Sequence, residues 1–414
     1  MKKRILSTYL IITCLFFMMT NIVSANMYTW SVSQETSSNF EKTTGVSVEI
    51  SDGDETGNHL NLQSGSAILI EQTSGQVLYG YNVHEQLRPA SVTKIMSILL
   101  IMEQIKLGKM DYTTRISCSE NAASMGGSQI WLDTSETLSV DEMLKAICVV
   151  SANDCVMAMA EHIAGTEEGF VQLMNAKAQE LGMKDTTFKN CHGLDEEGHV
   201  TSTYDIALMS KELLNNYPEI AKYTTIYMDS LRDGKSELVN TNKLVRTYNG
   251  CTGLKTGSTS QALFNLSASA TRDDLSLIAV IMKGPTSAIR FDEAKTLLDY
   301  GFNNFEYRKL ATKGEKVKEI SIEKGISKTV EVVFKEDVGA LVSKGQSASI
   351  SQTISLSDSI PAPIVEGEAV GKVTYNIGEN KLLEVDLVTK EEIKKIDMIT
   401  MTCKIYEKWF NLLR

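Results

Sequence analysis

A hydroxyl and an amine stand three residues apart at Ser91 and Lys94, within Arg88-Pro-Ala-Ser-Val-Thr-Lys94. On the first turn of a helix, positions i and i+3 share a face. A serine hydroxyl is a weak nucleophile until a neutral base takes its proton, and a helix start favours the negative charge that then develops. The pair therefore suits acyl transfer through a serine ester. Spacing alone is a weak signal, because roughly two chance Ser-x-x-Lys matches are expected at this length. One other match, Ser321-Ile-Glu-Lys324, lies in an alternating segment that reads as a solvated strand.

Two further strings strengthen the reading. Ser151-Ala-Asn153 falls at a junction between helical runs, and Lys255-Thr-Gly257 falls inside a strand-like segment. Ser-x-Asn also occurs at Ser37-Ser-Asn39 and Ser119-Glu-Asn121, whereas Lys255-Thr-Gly257 occurs once. Taken singly, Ser151 reads as a helix cap and Lys255 as a solvated strand lysine. Asp154 is expected to cap the helix that follows it. His192 and His199 sit in a loop segment and match no base role.

Several elements must position these groups. Pro89 suits a first helical turn, and Ile95 to Ile101 is apolar on nearly every side, which predicts a buried helix ending near Gly108. Before it, Ser66–Glu71 and Gln76–Gly80 flank Thr73-Ser-Gly75 as a hairpin. After it, Asn121 to Ser128 is a small-residue loop suited to the border of a cleft. A helix from Ser139 or Asp141 carries Met143, Leu144, Ile147 and Val150 on one face, and a second runs through Ile163. Glu168 to Met183 is amphipathic, with Phe170, Met174 and Leu181 inward. Ser202 or Thr203 caps a helix from Tyr204 to Asn216. Strand-like runs follow at Thr224–Asp229, Thr252–Ser258, Ala262–Ala270 and Ser276–Met282, the last two joined at Thr271-Arg-Asp-Asp274. A helix from Ser287 to Tyr300 carries Ile289, Leu297 and Leu298. Strands, then helices, then strands predict an α+β domain whose first and last strands meet in one antiparallel sheet.

The 414 residues, 43% of them hydrophobic and only 5 of them Pro, describe a globular chain with ample core. A net charge of −11 without a Lys/Arg cluster excludes nucleic-acid binding. Lys2, Lys3 and Arg4 precede an apolar stretch from Ile5 to Met19 and then Val23-Ser-Ala25, the pattern of a signal peptide over 1–25. The mature chain then begins near Asn26, with a flexible leader over 26–61. Cys14 leaves with the signal, and Cys118, Cys148, Cys155, Cys191, Cys251 and Cys403 form no metal-ligand spacing and no disulfide framework. Mostly free, buried thiols are expected. Short charged strands over 310–390 suggest a small β domain. Across 391–414, Ile396, Ile399, Cys403, Tyr406, Phe410 and Leu413 form an apolar helical stripe opposite Lys394, Lys395, Lys404 and Lys408. That stripe suits an interfacial membrane helix, or a helix packed on its own β domain.

The three strings together resemble the serine-type D-alanyl-D-alanine carboxypeptidases, the low-molecular-mass penicillin-binding proteins. Ser91-Val-Thr-Lys94, Ser151-Ala-Asn-Asp154 and Lys255-Thr-Gly257 carry the likeness. It is extended by Gly126-Gly-Ser128, Met174-Asn175, Leu181-Gly-Met183, His192-Gly-Leu194 and Leu297-Leu-Asp-Tyr-Gly-Phe302, over about residues 62–305. The resemblance implies a β-lactamase/transpeptidase-like domain, a trailing β domain and an amphipathic tail. Lys94 would serve as base with its pKa lowered by burial and by Lys255. Ser151 would relay a proton toward the leaving amine, and Asn153 would hold the substrate backbone. Lys255 and Thr256 would take a terminal carboxylate, and Gly257 would let the substrate approach the strand edge. The backbone N–H groups of Ser91 and Ser258 would form the oxyanion hole, with Arg290 near the carboxylate pocket.

The implied reaction removes the last D-alanine from peptidoglycan stem peptides ending in D-Ala-D-Ala, outside the cytoplasmic membrane, with β-lactams as inhibitors and no metal or organic cofactor. Two rivals differ in their predicted behaviour. A class A β-lactamase needs a deacylating glutamate, but the nearest string, Lys211-Glu-Leu-Leu-Asn215, has lysine there and lies in a helix. A wall-binding module without turnover would bind penicillin and release no D-alanine.

Overall fold

The computed structural model describes residues 58–345 and 349–412. The expected signal peptide, residues 26–57 of the leader, and Leu413 of the tail stripe lie outside the described residues.

The peptidase region is built on a five-stranded antiparallel sheet. Its strands are β1 (Ser66–Glu71), β2 (Val77–Tyr81), β3 (Cys251–Thr259), β4 (Leu263–Arg272) and β5 (Leu275–Gly284), in the order β2-β1-β5-β4-β3. As expected, the first strand closes on the last, with Leu69 opposite Ala279. Central strands covered on both faces read as continuous apolar runs, and every residue of β1 is buried. Alternate side chains serve two cores. Ile68, Ile70, Ile278 and Val280 face the helical block, while Leu69, Leu277, Ala279 and Ile281 face Leu297 and Leu298 of a helix at Ser287–Asn304.

The helical block consists of α1 (Lys94–Lys106), α2 (Val140–Val149), α3 (Asn153–Ala164), α4 (Glu167–Glu180) and α5 (Thr203–Asn216); the helix at Ser287–Asn304 is α6. From Lys94 through Met102 every residue of α1 is buried. That is the outcome the all-round apolar pattern requires. Ser139 starts α2 with a full capping box to Glu142, and Ser202, rather than Thr203, caps α5. Phe170 and Met174 of α4 are buried, but Leu181 is only half-buried at its C-cap.

Two local expectations fail. Ser91 is not on an α-helical turn; it lies in a 3-10 turn, Ala90–Thr93, with Pro89 before it and Ala90 at φ +48°. Thr224–Asp229 is not one strand. Ala221–Thr224 is helical, because Tyr223 is buried with its hydroxyl donating to Asp141 and Thr224 Oγ1 donates to Thr252 O. Only Met228–Leu231 is extended, paired with Ser236–Val239 in a separate hairpin.

Beyond α6, β6 (Phe305–Ala311) pairs with β9 (Val338–Ser343). A six-stranded sheet combines β7 (Lys316–Glu323), β8 (Thr329–Phe334), β10 (Ile350–Leu356), β11 (Ser359–Pro361), β12 (Ala369–Ile377) and β13 (Asn380–Thr389). Its core includes Val330, Val332, Phe334, Val373, Tyr375 and Leu387. Ser321 is exposed on β7, so the second Ser-x-x-Lys match is a strand surface. The tail helix starts later than its stripe suggests. Ile393 is buried and bridges to Ile364, and Ile396 N donates to Lys324 O, so this segment is stitched to the β region. The helix proper, α7, spans Met398–Leu412.

Candidate active site

The 3-10 turn brings Ser91 and Lys94 face to face, because residues i and i+3 eclipse in that geometry. Lys94 Nζ lies 3.0 Å from Ser91 Oγ, 2.6 Å from Asn153 Oδ1 and 2.6 Å from the His192 carbonyl. If Lys94 is a neutral amine, its two N–H bonds satisfy the amide and carbonyl oxygens, and its lone pair faces the serine hydroxyl. Burial pushes the Lys94 pKa far below the ordinary lysine value, and the nearby Lys255 ammonium lowers it further.

The turn is held by groups from distant parts of the chain. Asn265, buried on β4, donates from Nδ2 to Arg88 O at 2.8 Å and Pro89 O at 3.0 Å, while its Oδ1 accepts from Lys283 N. Thr93 Oγ1 donates to Ala90 O and lies 2.8 Å from His199 Nε2, and His199 Nδ1 accepts from Lys189 N. Desolvation pulls the His199 pKa down to about 4 and that of His192 to about 3. Both rings are neutral props rather than bases. Gly193, at φ +89°, leaves room for the Ala90 carbonyl, which an added Cβ would strike.

Ser151 adopts φ +66°, a left-handed conformation rare for a non-glycine residue. Its Oγ is buried with no hydrogen-bond partner among the described residues. Asn153 is anchored on the loop at 126–128, its Nδ2 donating to Gly126 O at 2.6 Å and its backbone N to Ser128 O at 2.7 Å. Ala152 rather than Asp154 holds the N-cap position of α3, but Asp154 Oδ1 accepts from Cys155 N of the first turn at 2.9 Å. Its Oδ2 also accepts from Ile130 N and Leu132 N, clamping the loop beside the site.

On the opposite wall, β3 carries Lys255, Thr256 and Gly257. Lys255 is wholly buried, and desolvation pulls its pKa down to about 7, with Arg290 lowering it and Cys148 opposing. Its Nζ donates to Thr256 O at 2.9 Å, and Thr256 Oγ1 lies 2.7 Å from Thr241 Oγ1. Packing gives Gly257 a reason to be glycine besides the expected approach of substrate. A Cβ there would lie 2.9 Å from Pro89 O, Ser91 N and Val92 N, so the serine turn itself also approaches closely. Ser258 follows as an exposed residue of β3. Arg290 is buried against β3 and β4. Its Nη1 donates to Gly257 O at 3.0 Å and Asn265 O at 3.1 Å, and its guanidinium stacks on Phe291.

Asn265 escaped the sequence reading. A polar residue between Phe264 and Leu266 in a buried strand was its signal. Among the described residues no carboxylate forms a hydrogen bond or ion pair with Ser91, Lys94, Ser151 or Lys255, and Lys211 on α5 donates to Ser74 O. Among the described residues, then, no carboxylate directly contacts the serine or its neighbouring amines.

Residues 53–286 match the family described as D-alanyl-D-alanine carboxypeptidase, more than half of the chain. The chain belongs to that family. Residues 305–395 match the C-terminal domain of penicillin-binding protein 5. The carboxypeptidase is 43% identical over 348 residues to D-alanyl-D-alanine carboxypeptidase DacF of Bacillus subtilis, covering 83% of this chain and 89% of the relative. It resembles the crystal structure of penicillin binding protein 5 from Haemophilus influenzae at a TM-score of 0.71 and 30% identity, covering 81% of this chain and 98% of that one. Penicillin-Binding Protein D2 from Listeria monocytogenes, solved in the ampicillin-bound form, is 28% identical at a TM-score of 0.54, covering 59% of this chain and 99% of that one. The enzyme is a serine-type D-alanyl-D-alanine carboxypeptidase. Its α+β peptidase domain is followed by a β domain.

Described thiols are all free, with Cys118, Cys148, Cys155 and Cys191 buried, Cys251 half-buried and Cys403 exposed. Desolvation raises the Cys148 pKa to about 12, so it is a packing residue rather than a rival nucleophile.

Proposed function

We propose that Ser91 is the nucleophile of this carboxypeptidase and Lys94 its base. The observation that carries the proposal is the 3.0 Å contact of a desolvated Lys94 Nζ with Ser91 Oγ, its other neighbours being two acceptors. Ser91 Oγ attacks the carbonyl of the penultimate D-alanine of a stem pentapeptide, and its proton passes to Lys94 Nζ. The resulting oxyanion is taken by the N–H groups of Ser91 and Ser258. The Ser151 hydroxyl relays the proton, giving its own to the leaving nitrogen and taking back the one held by the Lys94 ammonium. The C–N bond breaks, D-alanine departs and both groups return to their starting states. Water then hydrolyses the ester. Lys255 and Thr256 bind the terminal carboxylate, Asn153 fixes Lys94 and the neighbouring loop, and Arg290 holds the Gly257 carbonyl.

β-lactams place a strained amide before the same serine, and the absence of a contacting carboxylate supports a long-lived adduct. Export is supported by Lys2 to Ala25. Attachment to a membrane surface is supported by α7, where Met398, Ile399, Ile405, Tyr406 and Trp409 are exposed. No helix among the described residues is long and apolar enough to cross a membrane.

D-alanine release from a stem pentapeptide, run beside labelled-penicillin binding on the wild type and Ser91→Ala, tests the assignment. Loss of both signals with an unchanged melting curve is expected. Turnover that persists in the variant refutes the role of Ser91.

A further inference from the structure

Trp131 is 74% exposed, yet its position is rigidly imposed. Its backbone is left-handed, φ +54°, which a bulky aromatic rarely adopts. Four hydrogen bonds hold that conformation. Asp154 Oδ2 accepts from Ile130 N at 3.0 Å and Leu132 N at 3.1 Å, and Arg232 donates to Ile130 O at 2.8 Å and Trp131 O at 3.2 Å. Arg232 is itself locked by two bonds to Glu136 at 2.7 and 2.9 Å. The ring is oriented as well. With the Gln129 amide assigned from its neighbours, the indole N–H donates to its oxygen at 3.1 Å while its nitrogen donates to Met125 O at 2.6 Å.

A lone exposed apolar residue needs no explanation. An indole held by a buried carboxylate and an ion-paired guanidinium on a strained backbone does. The same loop lines the active site, because Gly126 O and Ser128 O both bond Asn153, whose Oδ1 contacts Lys94. Asp154, which clamps the residues on either side of Trp131, directly follows Asn153 in the chain.

We propose that Trp131 is a stacking platform for a hexosamine ring of the glycan that carries the stem peptide. This rests on the function proposed above. The attacked carbonyl lies four residues from the end joined to sugar, a span of about 14 Å at about 3.5 Å per extended residue. The ring therefore comes within reach of the loop that Asn153 ties to the active site. A pyranose presents one face of C–H bonds edged by hydroxyls, which suits an indole with an apolar face and a polar edge. The enzyme would then favour glycan-borne substrate over free peptide.

Steady-state D-alanine release from a disaccharide-linked pentapeptide and from the free pentapeptide tests this. The wild type is expected to show kcat/KM about three- to tenfold higher on the disaccharide substrate, the range of one aromatic stacking contact. Trp131→Gly suits the left-handed backbone and removes the ring, so it should bring the ratio close to one through KM, while Trp131→Phe should retain part of it. Equal wild-type values on both substrates overturn the proposal. An equal loss on both substrates in Trp131→Gly also overturns it, because the residue then acts only through the loop. Release from neither substrate by the wild type removes the carboxypeptidase reading, and the platform with it.

Discussion

Gly257→Ala isolates how closely the nucleophile's turn is packed. Glycine there is not needed for backbone freedom, since φ lies outside the left-handed region. The added methyl would meet Pro89 O, Ser91 N and Val92 N at 2.9 Å, against 3.4–4 Å for ordinary contact, so something must give by 0.5 Å or more. All three atoms are backbone, and no rotamer change relieves them. Asn265 anchors Arg88 O and Pro89 O to the same pair of strands, which directs the displacement into the 3-10 turn. Overpacking of this kind costs about 1–3 kcal/mol, enough to lower the melting temperature by several degrees in a domain of this size. The catalytic loss should be larger. A misplacement approaching 1 Å costs about 10²-fold, and Ser91 N is also a proposed oxyanion donor, worth about 10²- to 10³-fold. The rate of covalent labelling by fluorescent penicillin should therefore fall about 10²-fold, with D-alanine release falling in parallel. Labelling within threefold of wild type in a folded variant would refute the packing argument.

Other consequences follow from the same geometry. In the proposed mechanism Lys255 binds a carboxylate as its ammonium, and its pKa is about 7. So kcat/KM for D-alanine release should decline above about pH 7, while kcat declines at higher pH, because bound carboxylate stabilises the ammonium; a kcat/KM flat to pH 9 contradicts this. Burial lowers the folded-state pKa of Lys255 below its unfolded value, so the folded state holds fewer protons between about pH 7 and the ordinary lysine range. Lys255→Met should accordingly be inactive yet melt higher than wild type below pH 7, with the gain shrinking toward pH 10, as calorimetry across pH would read. Asn265→Ala strips the partners from Arg88 O and Lys283 N and leaves Pro89 O only its 3.3 Å bond from Val92 N, each unsatisfied group costing about 1–3 kcal/mol. A lower melting temperature with slower penicillin labelling should result, and unchanged labelling would argue against the clamp. Truncation after Asp397 should abolish co-sedimentation with anionic vesicles while leaving D-alanine release in solution intact; retained sedimentation would rule out α7 as the attachment.

What could be read beforehand was local chemistry and periodicity. The apolar run Ile95 to Ile101 directly after Lys94 announced a buried helix with an amine at its start, and a hairpin plus a strand-helix-strand order announced the sheet closure. What escaped was set by partners far along the chain. The turn at Ser91 is 3-10 because Asn265 and His199 pull on it, and neither is within a hundred residues. At Gly257 the sequence did not show that an added Cβ would strike backbone of the distant Ser91 turn. Asp154 suits a helix cap by position and one of its oxygens does take a first-turn N–H of α3, but the other is claimed by two N–H groups of an adjacent loop. At Thr224 a buried tyrosine and a threonine-to-carbonyl bond override strand propensity. The stripe of the tail helix was visible, but its first member, Ile396, is tied by its N–H to Lys324 O and lies before the helix begins.

The site concentrates features that oppose folding: two wholly buried amines, a buried guanidinium, and left-handed backbone at Ala90 and Ser151. These features are coupled through charge. Three acceptors around Lys94 would hold it as an ammonium, while burial and Lys255 push it toward the amine. When a substrate carboxylate reaches Lys255, the repulsion from that ammonium is offset, and the proton affinity of Lys94 rises as Ser91 needs to lose its proton. In the proposed mechanism, then, the group that recognises the end of the peptide also sets the strength of the base, and a substrate without that carboxylate would meet a weaker base as well as an unfilled pocket.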